Sequence, residues 1–196
     1  MVRAGSIQLL GVLSAFYSLA IVIGFALFLA VTQLGLFGSV SILFYRGLAD
    51  LGATVPALVL VLALILRLPW PSGVLAGRDA VVGAVVAISL NLTFFVLGPV
   101  TVDRSMSVFM LSSLAESQAP LTAEDLKAAF AVRYLREWDQ IGRRLKEQLT
   151  SGNVEQTPEG YYHLTPQGRS FMGTARVMSR LFGGDPRFVG LGRPEH

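Results

Sequence analysis

The chain has no cysteine and only two histidines, His163 and His196. The first absence excludes disulfides, thiolate metal sites and cysteine nucleophiles, and it leaves the redox compartment open. The second argues against a histidine-based metal site. Charge is scarce as well. Only 15% of the 196 residues are charged, where a soluble globular domain carries about 25%. No G-x-G-x-x-G or Walker loop opens a helix after a strand, and no G-x-S-x-G elbow surrounds a serine. No internal repeat, low-complexity tract or heptad coiled coil is present. No catalytic motif stands out, and no cofactor is expected.

The composition is instead dominated by hydrocarbon: 53% of residues are hydrophobic, and the mean hydropathy is +0.58. The apolar character is concentrated between Ile7 and about Val100, interrupted by charge only at Arg46, Asp50, Arg67, Arg78 and Asp79. About 20 apolar residues cross a bilayer core as a helix. The run Ile7 to Val31 exceeds that. It is much longer than the roughly 7–15 residues of a secretory signal, and no small-residue cleavage site follows, so it reads as an uncleaved first span. Gln33, Gly35, Gly38 and Ser39 mark a turn. The second segment has its purest core at Val55 to Leu66 and must begin near Leu48 or earlier to cross. Pro56 is placed to kink it, and Arg67 with Trp70 forms an interfacial end. Pro69, Pro71, Ser72 and Gly73 make the next turn. The third segment, Ala80 to Val100, carries Gly83, Ala84, Ala87 and Ser89, small residues that permit close helix packing, and Asn91, expected to hydrogen-bond to a neighbouring helix. Asn91-Leu92-Thr93 matches a glycosylation sequon that burial in a membrane would make unusable. The expected fold is therefore mainly α, with a multi-pass transmembrane domain over residues 1–100 whose helices cover about 7–34, 44–68 and 79–100.

After Thr101 the pattern changes. Arg104 to Ser117 has helical spacing through Val108, Leu111 and Leu114, ended by Gln118-Ala119-Pro120. Thr122 reads as an N-cap, with Asp125 completing an imperfect capping box, for a helix from Ala123 to about Leu135. A third helix covers about Glu137 to Ser151, with Trp138, Ile141, Leu145 and Leu149 on one face and Gly152 as its C′ residue. Strand candidates Asn153–Gln156 and Tyr161–Leu164 flank Thr157-Pro158-Glu159-Gly160, which reads as a hairpin. Thr165 and Pro166 then serve as N-cap and first residue of a last helix, Gln167 to about Phe182, stopped by Gly183-Gly184-Asp185-Pro186. A flexible tail is expected over 185–196.

Helix, helix, helix, hairpin, helix is the order of a winged-helix domain. The stretch SGNVEQTPEGYYHLTPQGRSF resembles the wing of MarR and PadR type regulators, in which a strand and a turn return through a Y-x-L-T-P-x-G pattern, here Tyr162, Leu164, Thr165, Pro166 and Gly168. The resemblance spans about Ser105 to Phe182. It implies a small α+β winged-helix domain at 101–184, lying in the cytoplasm because such domains occur mostly inside cells. The membrane is expected to be a bacterial inner membrane. Function does not follow, because the fold serves both DNA and protein contacts.

Charge weighs on that choice. Residues 1–100 carry four arginines and two aspartates, +2, while residues 101–196 carry twelve basic and eleven acidic groups, +1. DNA binding draws on a basic surplus that displaces counterions. The third helix of such domains enters the major groove by its N-terminal end, and that end here holds Glu137, Trp138, Asp139 and Gln140. Arg143, Arg144 and Lys146 are the recognition-helix residues in a DNA-binding reading, with Glu147 among them. The turn of the hairpin holds Glu159.

Three spans bring the first loop and the end of the third helix to one side. Arg46 and Asp50, four residues apart, share a helix face there; Asp103 and Arg104 arrive from the other segment. Charges at hydrocarbon are costly and tend to be paired or functional. Two readings stand: an ion-pair clasp joining anchor to domain, or a site where Arg46 and Arg104 receive a lipid phosphate or a partner's acidic group through their planar donor forks. His163 has no neighbouring acid or nucleophile in its pattern. Tyr134, Trp138, Tyr161 and Tyr162 read as core or interface. The expectation is a non-enzymatic membrane accessory or adaptor subunit, in contact with membrane lipid and a membrane protein partner or a second copy. A membrane-tethered transcription regulator and a lipid-phosphate-binding subunit of a glycan or lipid-carrier enzyme complex are the alternatives.

Overall fold

A computed structural model describes residues 2–70 and 74–190. Turn residues Pro71, Ser72 and Gly73, and residues 191–196 of the expected tail, lie outside the described residues. The chain is mainly helical and divides into two compact units, 1–108 and 109–196.

The first unit is built from α1 (Val2–Leu34), α2 (Leu43–Ile65) and α3 (Gly77–Phe95). Among the described residues, three helical stretches are long and apolar enough to cross a membrane: Gln8–Leu34, Leu43–Ile65 and Gly77–Arg104. Gly35, in the left-handed region at φ 65°, ends α1 with its N–H on the Thr32 carbonyl, as a C′ glycine does. Pro56 leaves α2 without the N–H that would reach the Gly52 carbonyl, and Thr54 Oγ1 donates to the Asp50 carbonyl at 2.8 Å in the turn before it.

The third segment runs past Val100, where it was expected to end. A π-helical turn, Val96–Val100, absorbs Pro99, and the Thr101 hydroxyl donates to the Val96 carbonyl at 2.8 Å. The helix then resumes as α4 (Thr101–Arg104). Proline removes one backbone donor, and the wider turn accommodates it without ending the helix.

Small residues set the packing of this unit. Phe16, Ala20, Leu58, Leu62, Ala80, Ala84 and Ala87 form one buried cluster; Phe28, Leu51, Phe95 and Val100 form a second. A Cβ on Gly47 would overlap the Phe95 ring, and one on Gly24 would crowd Ala87, so glycine is what lets α2 and α1 approach α3. The outward faces are bare hydrocarbon, including Leu10, Val22, Leu60, Val85 and Leu97. A surface of that kind matches lipid rather than water. Asn91 departs from expectation. It is fully buried, but its Nδ2 has no hydrogen-bond partner among the described residues. The facing residue on α1 is Gly24, which has no side chain to accept from it.

The helix α5 (Met106–Glu116) begins one residue after α4 and runs into the second unit. Ser105 caps it, its Oγ accepting the Val108 N–H at 3.1 Å. Next come α6 (Ala123–Ala129), a π-helical continuation at Phe130–Glu137, α7 (Gln140–Thr150), β1 (Val154–Gln156), β2 (Tyr162–Leu164) and α8 (Pro166–Phe182). The Thr122–Asp125 box is formed in both directions. The third helix starts later than expected. Asp139 takes a left-handed conformation at φ 45° and caps α7 through Gly142 N–H, so Glu137 to Asp139 precede the helix.

The strands pair antiparallel, Val154 with Leu164 and Gln156 with Tyr162. Gly160, at φ 91°, closes the turn, with Thr157 N–H on the Tyr161 carbonyl at 2.8 Å. The hairpin is fastened to both helices beside it. Thr165 Oγ1 accepts the Gly168 N–H and donates to the Gly152 carbonyl, and Gln167 Nε2 donates to the Ser151 carbonyl. A Cβ on Gly168 would overlap the Asn153 carbonyl, which explains a glycine in the first turn of a helix. Of the aromatic residues singled out, Tyr134 and Trp138 pack with Phe109 and Phe130, while Tyr161 and Tyr162 are exposed. Phe109 and Phe130 share the helical faces that meet, and the tyrosines sit on a hairpin that faces outward. The described part of the expected tail contains a 3₁₀ turn, Pro186–Val189, with Val189 buried and its carbonyl accepting from Arg176 Nε.

Candidate functional site

Arg46 stands in the first turn of α2 and Asp50 one turn further in, on the same face. Asp50 is 2% exposed, a buried carboxylate within a span. Its Oδ2 accepts from Thr32 Oγ1 of α1 at 3.3 Å, a long bond for an O–H donor. An Arg46–Asp50 pair is not among the ion pairs of the described residues. Arg46 is half-buried and shares with Asp50 a cavity of about 110 Å³ whose walls include Thr32, Phe28, Phe95 and Pro99.

The end of the third segment does reach the start of α2. The Arg104 guanidinium lies over the Phe44 ring, 5.8 Å from its centroid, within cation–π range. The structure therefore brings Arg104 to the turn of α2 that carries Arg46. The cavity offers a guanidinium fork toward the boundary, a carboxylate and a hydroxyl deeper in, and aromatic walls. That set suits the charged head of an amphiphile better than bond-making chemistry. Among the described residues no group of three metal-ligating side chains is close enough to hold an ion.

The opposite end of the first unit holds a second polar contact that the sequence pattern does not announce. Tyr17 of α1 donates its hydroxyl to Asp79 Oδ1 at 2.8 Å, and Asp79 Oδ2 accepts the Ala76 N–H at 2.7 Å. Asp79 is the third residue of α3, where a carboxylate answers the unpaired N–H groups of a helix start. Trp70 closes the same end, its Nε1 donating to the Ile65 carbonyl at 2.9 Å.

In the second unit α7 buries two polar residues and exposes two apolar ones, with Leu145 half-buried between them. Its polar residues Gln140, 5% exposed, and Glu147 face inward, while Ile141 is 59% exposed and Leu149 is exposed as well. Arg144 is held by Glu147, one turn away. Arg143 and Lys146 are exposed. His163 pairs across the hairpin with Glu155 at 2.7 Å, an acidic neighbour that the sequence pattern hides because it belongs to the partner strand. Glu159, at the hairpin turn, is held below the usual carboxylate range by the Thr157 hydroxyl and so stays anionic where a DNA-binding hairpin benefits from a cation.

Comparison with family models, with curated proteins and with solved structures finds no match for this chain.

Proposed function

We propose that this chain is a non-enzymatic integral membrane adaptor, whose second unit is a winged-helix domain that docks a membrane protein partner on the cytoplasmic side of a bacterial inner membrane. The observation that carries the reading is the inverted burial of α7. Burying Gln140 and Glu147 while exposing Ile141 and Leu149 runs against the ordinary partition of side chains. It is what a helix shows when its apolar stripe, Ile141, Leu145 and Leu149, belongs to an interface. Lys146, three residues from Leu149 and exposed, flanks that stripe. The complementary occupant is an amphipathic helix of a partner protein with carboxylates along its edges.

The order of α5, α6, α7, hairpin and α8, with the Thr165 cap and the Gly168 contact, supports the winged-helix part of the reading. The engagement of Arg144 by Glu147 and the anionic Glu159 weigh against the DNA-binding alternative, because both remove positive potential where phosphate would sit.

A photo-crosslinker placed at Ile141 in the full-length chain, in native membranes, tests the proposal. A discrete adduct with one other protein, absent from a crosslinker at Gln118 and lost in Leu145→Asp, is the expected result. An adduct only with a second copy, or none, overturns it. A salt-sensitive gel shift of DNA by the full-length protein in detergent, weakened by replacing Arg143 and Arg144, would establish the regulator instead.

A further inference from the structure

The helix α8 has a second uncovered face, separate from the α7 stripe, and its charge identifies an occupant. Phe171, Ala175, Met178 and Phe182 recur at the spacing of one helix face, and Leu181 adjoins them. Phe171, Met178, Leu181 and Phe182 are exposed, Phe182 by 82%, and Phe188 just beyond the helix is equally bare. Arg169, Arg176 and Arg180 recur at seven and four residues on the opposite face, and the helix contains no acidic residue. Arg169 and Arg176 are anchored to their own domain through the Leu164 and Val189 carbonyls. That leaves the helix a fixed, purely cationic side and a fixed apolar side.

A soluble partner could meet the apolar side alone. An anionic bilayer surface meets both, because an amphipathic helix with aromatic and aliphatic residues on one face and arginines on the other lies in the headgroup plane. The chain supplies that surface itself: only Ser105 separates the end of the third membrane-length stretch from α5. We propose that α8 is an interfacial helix that rests on anionic phospholipid, inserting Phe171, Met178, Leu181 and Phe182 at the level of the headgroups. The inference rests on the three spans and is independent of what docks on α7.

The absence of native cysteine makes the test direct. Nitroxide labels are placed singly at Leu181→Cys and Arg180→Cys in the full-length chain, reconstituted in nanodiscs of phosphatidylcholine with or without phosphatidylglycerol. Their collision with oxygen and with a water-soluble nickel chelate is then measured. With phosphatidylglycerol, the label at Leu181 is expected to favour oxygen and be shielded from nickel, while the label at Arg180 stays open to nickel. Omitting phosphatidylglycerol is expected to release the Leu181 label. With the label at Leu181, Arg180→Gln is expected to lower the docked-to-free ratio about fivefold, the weight of one arginine near an anionic surface. Equal nickel access at both positions in both lipids overturns the proposal. So does a Leu181 label shielded from oxygen and nickel alike with dipolar broadening between copies, which would mark a second chain as the occupant.

Discussion

The Tyr17 hydroxyl reaches Asp79 at 2.8 Å across 62 residues of chain. It ties α1 to the first turn of α3, while Asp79 also accepts the Ala76 N–H. The contact closes the bundle at the end away from Arg46.

Removing that hydroxyl leaves one carboxylate lone pair without its donor. Tyr17→Phe is expected to destabilise the folded bundle by about 1–3 kcal/mol, the range of a hydrogen bond to a carboxylate with a buried acceptor left behind. Tyr45→Phe is the matched control. Unfolding in mixed micelles, followed by circular dichroism, separates the two; equal shifts for both variants would reduce Tyr17 to packing alone.

The Arg46 and Arg104 turns form the other end. Arg46→Ala and Arg104→Ala are each expected to leave the helical content unchanged and to lower the anionic lipid or partner that co-purifies in mild detergent. Arg46→Lys is expected to recover only part of the loss, because ammonium lacks the planar donor fork. Unchanged lipid and partner content in both alanine variants would assign these arginines to the scaffold.

The first turn of α6 carries a pH dependence of known sign. Asp125 is held below the usual carboxylate range by the Thr122 hydroxyl and then by the Thr122 N–H. A depressed folded-state pKa contributes stability above the unfolded value of about 3.9 and loses it as the pH falls through the lower folded value. Amide exchange, corrected for its intrinsic pH dependence, is expected to show less protection at Asp125 and Leu126 once the pH falls below about 4. In Asp125→Asn that step is expected to vanish. A step of the same size in the variant would place its origin in another carboxylate.

Much of this architecture is legible in the residues. The three membrane-length stretches follow from run length alone, since few charges interrupt them. Thr122, Gly152 and Thr165 mark helix ends because each supplies a local group, a hydroxyl or a free φ, that the neighbouring backbone needs. What local chemistry does not encode stayed hidden. The helix passes Pro99 through a π-helical turn that no local spacing announces. Asn91 was expected to find a partner, and the opposing position is Gly24. The Tyr17–Asp79 bond joins residues 62 apart, so no spacing rule reports it; the His163–Glu155 pair follows from the hairpin register, Glu155 opposite His163, once that register is known. The apolar stripe of α7 was visible as periodicity; that Ile141 and Leu149 are left exposed was not, because a period gives a face but not the side on which the core lies.

Sidedness of single cysteines in intact cells tests the three-crossing arrangement most directly, since the chain has no cysteine of its own. Leu36→Cys lies after α1, Ala76→Cys before α3 and Gln118→Cys in the second unit. A membrane-impermeant maleimide is expected to label Ala76→Cys from outside and to reach Leu36→Cys and Gln118→Cys only after the membrane is opened. Labelling of Leu36→Cys and Ala76→Cys from the same side, or of Gln118→Cys from outside, would contradict three crossings with an inward second unit.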